Sequence, residues 1–335
     1  MAEQRYLLSV IVPFHNDEAF ITACLTSLLT QADDDMQIVI IDDGSTDGST
    51  QQVTALVARY AHCHITFIRQ QNQGIATTRN VGLRHAHGEF VTFLDGDDLV
   101  SSNYYAVIKP VLLAGSDDLI DFNYARFDET LPVAPQSETA QRTPYDFSSQ
   151  GLACLQPLFQ RAMWHLWNRI YRHTLLADER FEDGRRYEDV IFTPFQYFKT
   201  RRISHLENTL YYYRDNRRGI TRNVRPSDIG DMLFALEKIR TMAEARRSEP
   251  DFRRLATGMM LNCFSEVKSM SKALYGYYYY SADTRKALKA AAVLCRGYCR
   301  PKKYWQMRYP GLDTFFSSLR RIGKKKPAAA LYRRE

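Results

Sequence analysis

Short apolar runs alternate with amphipathic stretches over roughly the first 115 residues. Four of these runs lack the polar–apolar alternation of a strand with one face in water, and a stretch with helical spacing follows each of them. Buried strands that alternate with helices are typical of a parallel sheet covered on both faces. Because crossover connections are right-handed, the pattern predicts a doubly wound α/β domain. The predicted strands are 7–14, 36–45, 64–70 and 89–98.

The pattern becomes less regular after the fourth predicted strand. A helix over 101–113 and a fifth strand over 117–127 precede a loop at 128–146 that is rich in Pro, Thr, Ser and Gln. Residues 150–222 carry a second set of elements with weaker periodicity. From about 227 the spacing turns helical and stays so through much of the segment up to 295. The chain therefore divides into a mixed α/β region and a later helical region.

Composition and cysteine placement indicate an ordinary globular protein. The chain has 335 residues, of which 45% are hydrophobic and 25% charged. No apolar run approaches the ~20 residues that cross a bilayer, and the first residues lack the pattern of a signal peptide. The six cysteines are scattered, without the paired spacing of a zinc site. We therefore expect reduced thiols and a cytoplasmic location.

The positive charge is concentrated at the end of the chain. The formal net charge is +7, but residues 296–335 carry twelve Lys or Arg against Asp313 and Glu335, a net of +10 that leaves −3 for the remainder. Aromatic residues lie among these cations. An anionic membrane surface is the partner this pattern favours, which predicts peripheral attachment to the inner face of the cytoplasmic membrane. Nucleic acid is a weaker candidate, and a solvated helical face remains an alternative.

The fourth strand, in "FVTFLDGDDLV" (90–100), ends in three carboxylates, which are Asp95, Asp97 and Asp98. Residues two apart on a strand project to the same side, so Asp95 and Asp97 are expected to act together. Carboxylates and phosphate oxygens are the ligands that Mg²⁺ commonly takes. The pattern predicts an Mn²⁺ or Mg²⁺ site at Asp95 and Asp97 that a substrate phosphate completes. An acidic turn that caps the next helix is the alternative.

Three other segments carry chemistry suited to a nucleotide diphosphate. Asp42 and Asp43 end a neighbouring strand and suit a nucleobase or ribose, Arg79 lies on a helix from which it could reach a diphosphate, and "PFHN" ends the first strand. Taken in order, the four segments resemble the family 2 glycosyltransferases, which are inverting enzymes of the GT-A fold that use nucleotide-diphosphate sugars. The resemblance covers about residues 7–222.

This resemblance implies roles position by position. The sequence departs from the family pattern at three positions. Gly96 stands where Ser is frequent, Thr78 where Ala is usual, and Gly219 where relatives have the Ser of a Ser-Ile-Thr segment. Asp95 and Asp97 match the Asp-x-Asp motif that holds the metal. The residues implied to bind the nucleotide sugar are Pro13, Phe14, Asn16, Glu18, Asp42, Asp43, Gly74, Arg79, Asp95, Asp97 and Arg218.

The second half resembles family members that build bacterial surface polysaccharides. In those proteins a "YED" segment opens a helix at the acceptor site, and its Asp is the presumed base. The matching residue is Asp189, with Glu188 in a supporting position. A single displacement needs such a base, since the acceptor hydroxyl must lose its proton as it attacks the sugar carbon. The alternative is that both acids only complement the helix dipole.

Taken together, the motifs predict a GT-A catalytic domain over 1–222 and a helical region with a basic tail over 223–335. Within the first, the nucleotide-sugar half is expected at about 1–125 and the acceptor half at 126–222. The predicted function is inverting transfer from a UDP-sugar to a saccharide or lipid-linked acceptor, in lipopolysaccharide or capsule assembly. A metal-dependent phosphatase or phosphotransferase and a non-catalytic nucleotide-sugar-binding module are the alternatives. No G-x-G-x-x-G follows the first strand, which disfavours a nicotinamide enzyme.

Overall fold

The computed structural model describes residues 6–128, 130–131, 137–216 and 223–322, with side chains up to 319. The described residues fall into two compact units. One lies within residues 1–154 and 163–219, and the other within residues 155–162 and 220–335. The first unit contains the sheet and the second is helical.

The described strands form one nine-stranded sheet in the order β3-β2-β1-β4-β8-β6-β9-β5, with β7 paired to β9. The first four in this order are parallel, while β8 runs antiparallel to both β4 and β6. The predicted doubly wound, mostly parallel α/β fold is confirmed. The strands are β1 Tyr6–Phe14, β2 Met36–Asp43, β3 His64–Gln70, β4 Gly88–Phe93, β5 Leu99–Val100, β6 Leu119–Phe127, β7 Arg142–Pro144, β8 Arg169–Arg172 and β9 Ile203–Arg214.

The helices agree with the predicted alternation in the first unit and with the helical periodicity after residue 226. Short 3₁₀ helices lie at Gly151–Leu155 and His173–Leu176. The α-helices are α1 Ile21–Leu29, α2 Ser49–Arg59, α3 Ile75–His85, α4 Tyr104–Ala114, α5 Phe147–Gln150, α6 Gln156–Arg161, α7 Glu188–Tyr197, α8 Pro226–Ala245, α9 Pro250–Tyr275, α10 Ala282–Cys295, α11 Pro301–Arg308 and α12 Pro310–Ile322.

The apolar runs become central strands because helices cover both faces of the sheet. All eight residues of β2 are buried, and so are the last seven of β1. Pairing of Phe14 with Asp42 places the carboxyl ends of β1 and β2 at the same level. The polar residues that follow these strands therefore lie at one edge of the sheet, where doubly wound folds bind their ligands.

The fourth strand is shorter than the sequence indicates. We expected strand over 89–98, but β4 ends at Phe93, and the carboxylates follow in a turn closed by Asp98 N–H donating to the Asp95 carbonyl (3.1 Å). The turn brings Asp98 to β9, where its buried carboxylate accepts hydrogen bonds from the Tyr211 hydroxyl and the Arg214 N–H. The next two residues form β5, which pairs with β9.

The helical unit has its own apolar core. Side chains of α8, α9 and α10, among them Met232, Leu236, Phe252, Phe264 and Leu288, are fully buried. Among the described helices, none is long and apolar enough to cross a bilayer.

Candidate active site

The two acids that end β2 are buried and hydrogen-bonded. Asp42 accepts from the Ser45 N–H (2.8 Å) and the Thr50 hydroxyl (2.5 Å), so it shapes the turn into α2. Asp43 accepts from the N–H groups of Gln73 and Gly74, each at 2.9 Å. Asp43 thus fixes the loop that enters α3, where the positive φ of Gly74 (86°) suits glycine.

The last two residues of β1 are buried, whereas two residues of the loop that follows are exposed. Pro13 and Phe14 are buried strand residues. Asn16 is exposed in the left-handed region (φ 57°), and its side-chain oxygen accepts from the Thr46 N–H (2.8 Å). The exposed Glu18 lies on the same loop, and its backbone N–H donates to Asp47 (3.2 Å). The loops after β1 and β2 are therefore joined to each other at this edge of the sheet.

The turn after β4 gathers carboxylates. Asp98 is fully buried and accepts from the Tyr211 hydroxyl (2.8 Å) and the Arg214 N–H (2.7 Å), both on β9. Burial and the charges of Asp97 and Asp95 raise its pKa well above the usual range. Asp97 accepts from the Asn216 amide (2.8 Å), and burial raises its pKa as well. The turn is thus attached to β9 while its acids repel one another.

A further carboxylate, Asp17, belongs to this cluster and was missed from the sequence. Burial and the charge of Asp97 raise its pKa to about 7. A Cβ added at Gly96 would lie 2.9 Å from a carboxylate oxygen of Asp17 and 2.9 Å from the Phe14 Cβ, so the turn packs closely against the end of β1. The Asp that follows "PFHN" was the available signal, but a single acid in a loop predicts little.

The cluster fits a divalent cation that is completed by its substrate. The charge of Asp95 raises the pKa of Asp97, and the charges of Asp95 and Asp97 raise the pKa of Asp17 and of Asp98, which is an energetic cost that a cation would relieve. In the described part of the chain, no three Asp, Glu, His or Cys side chains could hold a metal alone. Magnesium commonly takes one or two carboxylates together with phosphate oxygens, and Asp95 and Asp97 fit that arrangement.

Arg79 joins the acidic turn to α7. Its guanidinium donates from one terminal nitrogen to Asp95 (2.6 Å) and from the other to Glu188. Arg79 is 4% exposed, and its Nε is buried without a hydrogen-bond partner among the described residues. Burial alone would lower its pKa, but the charges of Asp95 and Glu188 outweigh that effect and raise it. We expected this side chain at a diphosphate, and the structure places it between two carboxylates.

Asp189 lies beside Glu188 in the first turn of α7. Its carboxylate is partly accessible (28%), and burial together with the charge of Glu188 raises its pKa to about 7. The Nδ1 atom of His165 lies 4.0 Å from the carboxylate. Burial and the nearby cations Arg169 and Arg126 lower the pKa of His165 to about 3, so the imidazole is neutral.

An aromatic stack supports His165. The imidazole lies parallel to Trp167 (centroids 4.6 Å apart), and Trp167 lies parallel to Tyr211 (4.3 Å). Tyr213 extends the stack, and Tyr124 meets Trp167 edge-on at 4.8 Å. Trp167 is itself buried, as is Trp164, so neither offers a face to a sugar. His165 is 29% exposed and is the part of the stack nearest to the Asp189 carboxylate.

The last predicted contact lies outside the described residues. Arg218, together with Arg217, Gly219 and Thr221, falls in the segment 217–222, of which the structure gives no description. Arg214 just before it is described, and its Nε donates to the Asp97 carbonyl (2.8 Å).

The fold and the carboxylates at its strand ends define a GT-A type transferase. The chain belongs to glycosyl transferase family 2, whose model matches residues 9–176. The predicted family and the predicted enzyme class, a glycosyltransferase, are therefore confirmed, and the phosphotransferase and non-catalytic alternatives gain no support.

Curated relatives agree with this assignment. Glycosyltransferase GlyA of Streptococcus pneumoniae is 29% identical over 64% of the chain, and the match covers 31% of that relative. The uncharacterized glycosyltransferase EpsJ of Bacillus subtilis is 30% identical over 64% of the chain and 63% of its own length. The poly(ribitol-phosphate) β-N-acetylglucosaminyltransferase TarS of Staphylococcus aureus is 30% identical over 63% of the chain and 36% of its own length. The chain thus spans less than two thirds of these relatives.

Solved structures agree with the fold. TarS residues 1–349 in complex with UDP-GlcNAc superimpose with a TM-score of 0.71 at 21% identity, covering 96% of this chain and 93% of that one. The mannosyltransferase PcManGT from Pyrobaculum calidifontis, in complex with GDP-Man and Mn²⁺, gives 0.52 at 17% identity, covering 96% and 89%. At these identities the likeness concerns the fold alone.

Proposed function

We propose that the protein transfers a sugar from a UDP-sugar to a hydroxyl of a saccharide or lipid-linked saccharide, with inversion at the transferred carbon. The observation that carries the proposal is the bridge from Asp95 through Arg79 to Glu188. It fixes the start of α7, which bears Asp189, against the acidic turn. One buried side chain thereby couples the proposed leaving-group site to the proposed base.

The chemistry is a single displacement. The acceptor hydroxyl oxygen forms a bond to the anomeric carbon, the bond from that carbon to the diphosphate oxygen breaks, and the electron pair leaves with UDP. The hydroxyl proton passes to Asp189, whose pKa of about 7 suits a base at neutral pH. Asp95 and Asp97 would hold Mn²⁺ or Mg²⁺, which supplies Lewis-acid stabilisation of the departing diphosphate.

Arg79 is assigned a positioning role in this scheme. Both of its terminal nitrogens are engaged by carboxylates, so its direct effect is to fix Asp95 and Glu188. It also contributes positive charge close to Asp189, where it opposes the rise in pKa that burial causes. A shift of the guanidinium toward a bound diphosphate would weaken two charge-assisted hydrogen bonds, each contributing about 1.5–3 kcal/mol.

The donor pocket is proposed to lie between the loops after β1 and β2. Asn16, Glu18 and the backbone around Asp43 line this edge, and the hydrogen bonds between the loops, from Thr46 to Asn16 and from Glu18 to Asp47, fix it before a ligand arrives. The preference for uridine rests on the family resemblance, and TarS has been solved with UDP-GlcNAc. Pro13 and Phe14 are proposed to support the pocket from below, since they are buried.

The acceptor is proposed to bind over His165, next to Asp189. A neutral imidazole can donate to or accept from a sugar hydroxyl without competing for the proton that Asp189 removes. The stack on Trp167 restricts the ring, which is what an acceptor-positioning group requires. Surface-polysaccharide assembly, as in lipopolysaccharide or capsule, is the proposed setting. A lipid-linked acceptor would bring the basic C-terminal segment to an anionic membrane surface.

The test follows transfer to water, which needs no known acceptor. The protein is incubated with a panel of α-linked UDP-sugars and Mn²⁺, and proton NMR records the anomeric form of the released sugar before it equilibrates. We expect slow release of the β-anomer, lost in Asp189→Asn and retained in the control Asp34→Asn, which changes an exposed carboxylate before the start of β2, away from the site. Release of the α-anomer, or equal rates in Asp189→Asn and wild type, would refute the mechanism.

A further inference from the structure

Helix α12 exposes apolar side chains and partly buries polar ones, which is the reverse of an ordinary surface helix. Its polar residues Asp313, Thr314 and Ser317 are partly buried, whereas Leu312 and Phe316 are 57% and 58% exposed. A helix on a globular protein normally directs its apolar stripe to the core. The inverted orientation leaves large apolar side chains in contact with water, which is typical of an interaction surface.

Specific polar contacts hold α12 in this orientation. The Asp313 carboxylate pairs with Lys268 on α9 (2.8 Å) and accepts from the Tyr280 hydroxyl (2.9 Å) and the Gln306 amide (2.9 Å). Lys268 and Asp313 are both largely shielded, and a shielded ion pair with extra hydrogen bonds has a defined geometry. The exposed apolar face therefore follows from how the helix is anchored.

The exposed apolar side chains come from α11, from Tyr309 directly after it and from α12. Trp305 and Tyr309 stack at 5.3 Å with their rings nearly parallel. Leu312, Phe316 and Leu319 of α12 follow at intervals of four and three, which places these three on one face of that helix. Each is between 43 and 58% exposed. This apolar stripe consists of Trp305, Tyr309, Leu312, Phe316 and Leu319.

The charge around the apolar stripe indicates which kind of partner binds it. Residues 296–335 have a net charge of +10 in the sequence, and Asp313, one of their two acids, is engaged by Lys268. A second copy of the same cationic segment would repel the first. An anionic bilayer attracts cations and accepts apolar side chains at the level of its headgroups. Trp and Tyr are favoured at that level because their rings are apolar and their edges polar.

We propose that the apolar stripe is a membrane-insertion surface that lies in the headgroup region of an anionic bilayer while the flanking cations contact phosphate. The inference rests on the membrane setting proposed above and is independent of the donor chemistry. It differs from attachment by charge alone, because insertion adds apolar burial that persists when salt screens the charges.

The chain offers an internal probe. It has three tryptophans, of which Trp164 and Trp167 are buried and Trp305 is 55% exposed. A blue shift of fluorescence on adding vesicles of phosphatidylcholine with phosphatidylglycerol therefore reports Trp305, and lipids brominated on their chains should quench it. Trp305→Phe should abolish the shift. A shift that persists in Trp305→Phe, or no shift in wild type with bound vesicles, would overturn the proposal.

Vesicle sedimentation of the full chain gives the affinity. Leu312→Ser with Phe316→Ser should weaken binding about tenfold or more at low and at raised salt. Leu113→Ser should change nothing, since Leu113 lies on α4 outside the stripe, although it is more exposed (65%) than either residue. Unchanged binding by the double variant, or a wild-type dimer that the double variant dissolves, would overturn the insertion surface.

A deletion separates this proposal from the charge-based setting. Removing residues 323–335 deletes five of the cations and leaves the stripe intact. We expect weaker binding at low salt and little change at raised salt, with the fluorescence shift retained. Unchanged binding at low salt would contradict the electrostatic contribution of that segment, whereas loss of the fluorescence shift would contradict insertion. Far-ultraviolet circular dichroism of each variant shows whether it is folded, without reference to the donor.

Discussion

Replacement of Arg79 by Met tests whether the bridge from Asp95 through Arg79 to Glu188 stabilises the fold. The change removes the partner of Asp95 and Glu188 and leaves two carboxylates facing each other, Glu188 being 11% exposed at its side chain and Asp95 28%. Removing one member of a buried ion pair typically costs about 3–5 kcal/mol, because the remaining charge is uncompensated. Partial exposure of Asp95 places the expected loss toward the lower end of that range.

The assay is urea unfolding followed by tryptophan fluorescence, in which Trp164 and Trp167 report on the sheet unit. The double variant Arg79→Met with Glu188→Gln removes the stranded charge, so it should recover about 1–2 kcal/mol relative to Arg79→Met alone. A loss below about 1 kcal/mol in the single variant would refute the bridge as a stabilising element. Strict additivity of the two changes would also refute it.

Three further predictions concern individual residues. The rate should rise with pH through about 7, because Asp189 must be deprotonated to act as a base, and Asp189→Asn should lose about 10²–10⁴ in kcat; a flat pH–rate profile would exclude it. Tyr211→Phe removes the hydroxyl that donates to the buried Asp98 and should cost about 1–3 kcal/mol in urea unfolding, and an unchanged midpoint would contradict this. Gly82→Ala should lower the free energy of unfolding by about 1–3 kcal/mol, since its methyl would lie 2.3 Å from an isoleucine of β1. Gly258→Ala, whose methyl would have its nearest atom at 3.7 Å, should be neutral or stabilising. Equal effects of the two changes would refute the packing argument.

The sheet could be predicted from the sequence because its strands are buried on both faces. Continuous apolar runs such as those of β1 and β2 have few alternative placements, and the helices between them fix parallel pairing. The end of β4 was placed too late. A strand pattern does not show that Asp98 will be bound by residues of β9, more than a hundred positions later, and the chain leaves the sheet at Phe93 to form the turn that makes this contact.

The site was harder to predict because pairings between distant residues decide it. Asp95 and Asp189 were recognisable from local motifs, but nothing near Arg79 shows that Glu188, 109 positions later, would take one of its nitrogens. Asp17 was missed because it joins the carboxylate cluster only through its contact with the turn after β4. His165 becomes a candidate site residue only because the fold brings it within 4.0 Å of the Asp189 carboxylate. Such contacts follow from the tertiary fold.

Calorimetry of UDP-sugar binding with Mn²⁺ and then with EDTA, for wild type, Asp97→Ala and Asp189→Asn, tests whether the metal-binding acid and the base have separate roles. We expect donor binding that requires the metal, is lost in Asp97→Ala, and persists in Asp189→Asn because the base does not hold the donor. Metal and donor should each strengthen the binding of the other. Equal donor binding in EDTA, or loss of binding in Asp189→Asn, would contradict the separate roles assigned to the two carboxylates.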